Sequence, residues 1–224
     1  MHSLRSAIAC AAVAATGALG VLAPSALADA QLSFTDTVDF QAFGAIPDFT
    51  VQSFDGSLGQ LSSIDIRVDI EWEGQIVIEN NSLLEGSTLL DNSRLEYELS
   101  VQWPDASPIA TFAGVFNPDG LSLGVFDGDH DFAGSSGATL SEHLTFSAST
   151  NLATEAKNAF VDQGEHFFAF SAVQIALLSA QGGDVTLTSR AFAGGALTIT
   201  YNYVPTPGTL ALLAGAPLLV RRRR

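Results

Sequence analysis

Between Ile64 and Ile78 every second residue is apolar, in the order Ile64, Ile66, Val68, Ile70, Trp72, Ile76 and Ile78, with Gly74 the one gap. The intervening Asp65, Arg67, Asp69, Glu71, Glu73 and Gln75 are charged or polar, and only Val77 departs from the rule. Side chains alternate faces along a strand, so this run predicts a β-strand with one face on a core and the other in water. A helix would scatter both sets around its axis. At about 3.3 Å per residue the run would extend roughly 50 Å, longer than an ordinary strand, and Gly74 is the expected place for a bend or bulge. A strand of that length needs partners on both edges and a second apolar layer over its face, which predicts a β-sandwich.

The same alternation recurs along the chain. Leu32, Phe34, Val38 and Phe40 share one face of a first strand, and Phe49 to Phe54 make a short second one. Asp55-Gly56 and Leu58-Gly59 turn the chain into the long strand, and Glu79 to Asp91 reads as a polar loop. Leu95, Tyr97, Leu99, Val101 and Trp103 alternate with polar residues until Pro104 ends the strand. Ile109 to Phe116 follows, then the turn Asn117-Pro118-Asp119-Gly120, then Leu121, Leu123 and Val125. Ala138, Leu140, Leu144, Phe146 and Ala148 share a face, interrupted at Glu142. Leu152 to Gln163 has helical spacing with Gly164 as its stop, and Phe167 to Leu178, apolar on both faces, reads as a buried central strand. Glycine pairs at 182–183 and 194–195 frame the last two strands, which end at Tyr203. The expectation is an all-β, single-domain, jelly-roll-like β-sandwich over 29–203, with nine or ten strands and one short helix. Trp72, Trp103, Tyr97, Tyr201 and Tyr203 fall on apolar faces, so core packing is expected of them rather than ligand stacking.

Both ends of the 224-residue chain read as address segments. Met1 to Ala28 has Arg5, the apolar run Ala7 to Ala23, and Ala26-Leu27-Ala28. A basic start, an apolar stretch and a small-x-small site are the parts of a secretory signal peptide, cleaved after Ala28 or at the alternative Ala28-Asp29-Ala30. The stretch is short and Ala/Gly-rich for a spanning helix. At the other end, Val204-Pro205-Thr206-Pro207-Gly208 leads into the apolar run Thr209 to Val220 and then Arg221, Arg222, Arg223 and Arg224. That run is shorter than the 20 or so residues a comfortable span needs. The arginines would stay on the cytoplasmic side, so the pattern predicts a transient C-terminal membrane stop on an exported protein. Cys10, the only cysteine, lies within the leader, so the mature chain has no disulfide, thiolate metal site or Cys nucleophile.

Acidic charge is confined to the body. Between Asp29 and Val204 four basic residues stand against 24 acidic ones, a net charge of −20. Such a body is repelled by phosphate backbones, which excludes nucleic acid as a partner, and it attracts cations. Solubility alone also accounts for it. Asp127-Gly128-Asp129-His130-Asp131 places three carboxylates at alternate positions, as in calcium loops. Phe132 and Ala138 occupy the positions where an EF-hand has Gly and Glu, so the choice is between a different calcium site at Asp127, Asp129 and Asp131 and an acidic turn. The histidines show no metal-ligand spacing. No nucleophile elbow or phosphate loop is present, and the pairs Glu71/Glu73 and Glu96/Glu98 lie on polar strand faces. No catalytic constellation is expected. Asn80-Asn81-Ser82 fits a glycosylation sequon but reads as a turn.

The tail, Val204 to Arg224, resembles the PEP-CTERM sorting signal in its V-P-x-P-G element, apolar stretch and terminal arginine cluster, with Thr206 where that signal usually has Glu. The resemblance implies an exosortase-like processing enzyme, cleavage near Pro207-Gly208 and release to the cell surface or extracellular matrix. The body resembles the choice-of-anchor E domain family in Phe54-Asp55-Gly56-Ser57-Leu58-Gly59 with the strand to Asn80-Asn81-Ser82, and in Phe126 to Gly137. That family implies a surface domain and no defined activity. The expected role is structural or matrix-interacting, with exopolysaccharide or other surface proteins as partners. The alternative is a carbohydrate-binding or calcium-assisted adhesion module.

Overall fold

The structure is a computed structural model, and it describes residues 29–44, 46–118, 120–152 and 157–206. The signal-cleavage residues Ala26 and Ala28, and Pro207, Gly208 and Arg221 to Arg224 of the sorting motif, lie outside the described residues.

The chain forms an all-β sandwich of antiparallel sheets that do not close into a barrel. One four-stranded sheet contains β1 (Ala30–Ala42), β11 (Val185–Pro205), β3 (Gly59–Asn80) and β8 (Gly137–Leu152), in that order. The other contains β2 (Phe49–Gln52), β9 (Glu165–Leu177), β5 (Arg94–Gln102) and β6 (Pro108–Phe116). A small third sheet joins β10 (Ala180–Gln181), β4 (Ser87–Leu89) and β7 (Leu121–Leu123). The predicted alternation sets the architecture. Ile64, Ile66, Val68, Ile70 and Trp72 are buried on one face of β3, and Leu197, Ile199 and Tyr201 on the same face of β11. Phe49, Phe168, Phe170, Leu99 and Val101 oppose them from the second sheet.

At 22 residues β3 outruns the second sheet. Its far end, with Ile76 and Ile78, packs beside Leu187 of β11 and Leu140 of β8, and the small sheet covers this end with Leu89 and Leu123. The apolar face of the strand is thus covered along nearly its whole length by two layers. The expected polar loop 79–91 is correspondingly shorter: Glu79 and Asn80 end β3 fully buried, and Ser87–Leu89 is a strand.

Polar links tie the two large sheets together. The Tyr201 hydroxyl donates to the Gln52 carbonyl at 2.8 Å, and the Thr50 amide donates to the Asp36 carboxylate at 2.7 Å. Burial pushes the Tyr201 phenol well above its ordinary pKa, which keeps it protonated as a donor. Phe112 stacks on Phe146 across the sandwich, with centroids 5.0 Å apart.

The structure corrects further expectations, among them the turn at Gly194-Gly195, where the last two expected strands are one continuous strand, β11, paired with β3 through both glycines. Gly74 neither bends nor bulges β3, whose pairing with β8 and β11 runs through it without a break. Its role is space: the Trp72 ring folds over it and stacks on Tyr97 of the opposite sheet, centroids 4.0 Å apart. Tyr97 in turn lies over Gly114. The helix expected at Leu152–Gln163 is, among the described residues, only a 3-10 turn, Lys157–Phe160. Tertiary contact wins over helical spacing there, because Phe160 is buried against His166 at 4.4 Å and near Trp103 at 5.8 Å. Strand β9 is not buried on both faces. It lies between β2 and β5, but its outer residues Phe167, Val173 and Ile175 are each more than half exposed, because no described element covers that side. Finally, β11 runs to Pro205, two residues into the sorting motif.

Replacing Gly74 by Ala sets a methyl group against the Trp72 ring. The expected result is a destabilisation of about 1–3 kcal/mol, as for other overpacked cores, seen as a lower midpoint in chemical unfolding with an unchanged m-value.

Candidate functional site

The Asp127–Asp131 loop lies between the small sheet and β8. Two of its three acidic side chains, Asp127 and Asp131, serve the loop's own backbone. Asp127 accepts from the Asp129 amide at 3.2 Å through one oxygen and from the Ser135 amide at 3.2 Å through the other. These amides, Asp129 first, hold its carboxyl below the usual carboxylate range. Asp131 accepts from the Ala133 amide at 2.9 Å. Gly128 and Gly134 have positive φ, at 111° and 68°, and Phe132 also enters the left-handed region at 57°. Among the described residues no three His, Cys, Asp or Glu side chains form a group able to hold a metal, so Asp127, Asp129 and Asp131 are not gathered into a ligand set.

What fixes this loop is a pair of residues that the sequence reading left in a polar loop. Glu79 is fully buried, and its Oε2 accepts from the Phe132 amide at 2.8 Å. Asn80, also fully buried, donates from Nδ2 to the carbonyls of Glu85 and Gly124, at 2.7 and 2.6 Å, and accepts from the Ser82 amide. A buried side chain with that many partners is a structural clamp, in keeping with the turn reading of Asn80-Asn81-Ser82. The signal that could have identified both was their place at the end of an unbroken strand.

Of the sorting motif, Val204 and Pro205 pair with Gln60 and Gly59 at the end of the β3–β11 ladder, and the Thr206 amide donates to the Leu58 carbonyl. Trp72, Tyr97, Tyr201 and Tyr203 are buried and Trp103 is partly buried, as their apolar faces required. Glu71 and Glu73 project from the outer face of the first sheet, and Glu96 and Glu98 from that of the second.

The feature that sequence alternation misread is on the outer face of the first sheet. Leu32, Phe34, Val38 and Phe40 were expected on one face, yet Val38 is buried while Asp39 and Phe40 are both exposed. Between Val38, opposite Gly195, and Gln41, opposite Ala193, two residues of β1 face only Gly194. This is a β-bulge, and it turns Phe40 outward. A Cβ on Gly194 would lie 2.7 Å from the Phe40 backbone, so glycine is what lets the bulge close. The Phe40 ring lies across the sheet with its centroid 6.0 Å from that of Phe192 and 5.9 Å from that of His143. His143 approaches Glu73 at 3.9 Å. Beside these rings is a trough of about 470 Å³ lined by Asp39, Asp69, Glu71, Thr145 and Ser147 and floored by Gly194.

The chain matches no protein-family model and no curated protein. Solved structures similar to it include that of infectious bursal disease virus Gx strain, at 13% identity over 86% of this chain and 42% of that one, with a TM-score of 0.19. The VP2 subviral particle of the same virus is 13% identical over 85% of this chain and 42% of that chain, with a TM-score of 0.24. Its T=1 particles are 15% identical over 85% and 41%, with a TM-score of 0.22. The chain spans less than half the length of these viral chains, and likeness at such scores carries no weight for fold or function.

With the Asp127 and Asp131 carboxylates engaged by backbone amides and the three aspartates not gathered, Ca²⁺ is expected to raise the melting temperature no more than an equal concentration of Mg²⁺, as scanning calorimetry can measure; a larger calcium-specific rise would support Asp127, Asp129 and Asp131 as ligands. Glu79→Ala should cost about 1–3 kcal/mol by leaving the Phe132 amide unpaired, with faster hydrogen exchange at Phe132 than elsewhere in the loop.

Proposed function

We propose that this is an exported, surface-sorted β-sandwich protein with a structural or matrix-interaction role and no catalysis of its own. One observation carries the reading. The first strand pairs with the last, Ala30 opposite Tyr203, so both ends of the folded body leave from one pole of the sandwich. Among the described residues the ladders of both large sheets run within Ala30–Pro205. A body built this way tolerates removal of a leader at one end and processing of the tail at the other. In this reading the exosortase-like enzyme acts at Pro207-Gly208, just beyond the last strand, and Thr209 to Val220 contacts the membrane only until then.

The partners are exopolysaccharide or other surface proteins. They meet a body carrying a net charge of −20, whose two large sheets have solvent-facing sides. A calcium-assisted variant of this role stands on the acidic loop alone.

Intact-mass measurement on the protein from the host's surface and medium fractions tests the reading. A chain starting near Asp29 and ending near Pro207 is expected. A mass that retains Arg221 to Arg224 would make the tail a lasting anchor and overturn the sorting step.

A further inference from the structure

From the bulge, the ring cluster and the trough we infer a binding track for a cationic amino-sugar polymer along the outer face of the first sheet. The inference rests on the surface reading only for the polymer's access to the protein.

The charge in the trough is one-sided. Among its carboxylates Asp69 is paired, with Arg67 in a two-pronged contact at 2.7 and 2.9 Å and with the Ser147 hydroxyl at 2.7 Å. Arg67 and Ser147, in that order, hold the Asp69 carboxyl below its ordinary range. Asp39 and Glu71 have no side-chain hydrogen bond or ion pair among the described residues, and no Lys, Arg or His lines the trough. Two exposed carboxylates a strand apart, with no cation between them, complement a ligand that carries its own. The same arrangement repels a polymer of uronic acids or phosphates.

The aromatic end narrows the ligand class. Phe40 is 41% exposed in spite of its size, and it lies over the sheet beside Phe192 and His143 rather than in the core. A flat ring beside carboxylates suits a ligand with an apolar face and a nearby ammonium, where stacking and cation–π attraction act together. The hydroxyls of Thr145 and Ser147 add polyol-matching donors and acceptors.

The length of the face requires a polymer rather than a single sugar. A second trough, of about 450 Å³, lies further along the same face and is lined by Asp65, Arg67, Asn151, Thr198 and Thr200; Asp65 there already accepts from the Asn151 and Asn202 side-chain amides, so this trough is polar rather than one-sidedly acidic. From Glu73 to Asp65 along β3 is eight residues, roughly 26 Å at strand spacing. The two troughs meet at the Arg67–Asp69 pair, Asp69 lining the first and Arg67 the second. A linear chain of repeated units can set its amines in the first trough and its hydroxyls against the amide and hydroxyl side chains of the second.

The test is calorimetric titration of the purified protein with a glucosamine hexamer at mildly acidic pH, where its amines are protonated. The N-acetylglucosamine hexamer and hexalysine are titrated in parallel. The glucosamine hexamer is expected to bind best, with the acetylated hexamer weaker by roughly tenfold or more, the worth of one charge-assisted hydrogen bond. Phe40→Ala should weaken binding roughly three- to tenfold. Glu71→Gln, an isosteric surface change that keeps the fold, should weaken it similarly, while Glu98→Gln on the opposite sheet leaves it unchanged. Equal binding of the acetylated hexamer overturns the cationic part of the inference. Hexalysine binding as tightly as the amino sugar overturns the sugar part. No binding, or binding indifferent to both Phe40→Ala and Glu71→Gln, overturns the site. None of these outcomes depends on where the chain is processed, so the site and the sorting reading fail separately.

Discussion

The ladder between β3 and β11 is the constraint to which everything else in the molecule answers. Two strands of 22 and 21 residues pair along nearly their full length, and their shared inner face is apolar from Tyr201 and Ile64 at one end to Leu187 and Ile78 at the other. Apolar area on that scale must be removed from water. The second large sheet reaches only part of the way, so the three short strands of the small sheet supply the rest of the cover. The buried Glu79 and Asn80 then hold the loops that carry those short strands. Much that looks irregular at this end of the molecule follows from one sheet being longer than its partner.

The regular part of this arrangement was legible in the sequence because period-two alternation directly encodes which side chains share a face. The long strand, the strand around Tyr97 to Val101 and the strand from Ala138 to Ala148 could all be read off. Harder to see were features whose cause lies in a different strand. The Asp39–Phe40 bulge depends on the absence of a side chain at Gly194, some 150 positions away in the chain, and local alternation around Phe40 reads as if no bulge existed. Gly74 reads as a bend or bulge in the sequence, because the Trp72 ring that occupies its space is placed there by Tyr97 across the sandwich. Strands of two or three residues, such as β10, β4 and β7, are too short to show any period.

The two outer faces of the sandwich differ in kind. Beyond β9 the second sheet shows apolar side chains interleaved with Glu96 and Glu98, while the first sheet shows carboxylates, hydroxyls and a single group of rings at the bulge. That contrast is a product of sequence choice on residues that packing leaves free, so it is where a chemistry of recognition can be written without disturbing the core.

The placement of β11 has a mechanical meaning. It is an interior strand, flanked by β1 and β3, and it leads straight toward the tail. A load applied at the C-terminal end and resisted at the bulge, ten residues along β1 from Ala30, runs parallel to the strands and perpendicular to their hydrogen bonds. The bonds on both sides of β11 then share that load in shear instead of opening one after another like a zipper. A domain held at that pole and gripped near its middle would in this way be braced along its strands.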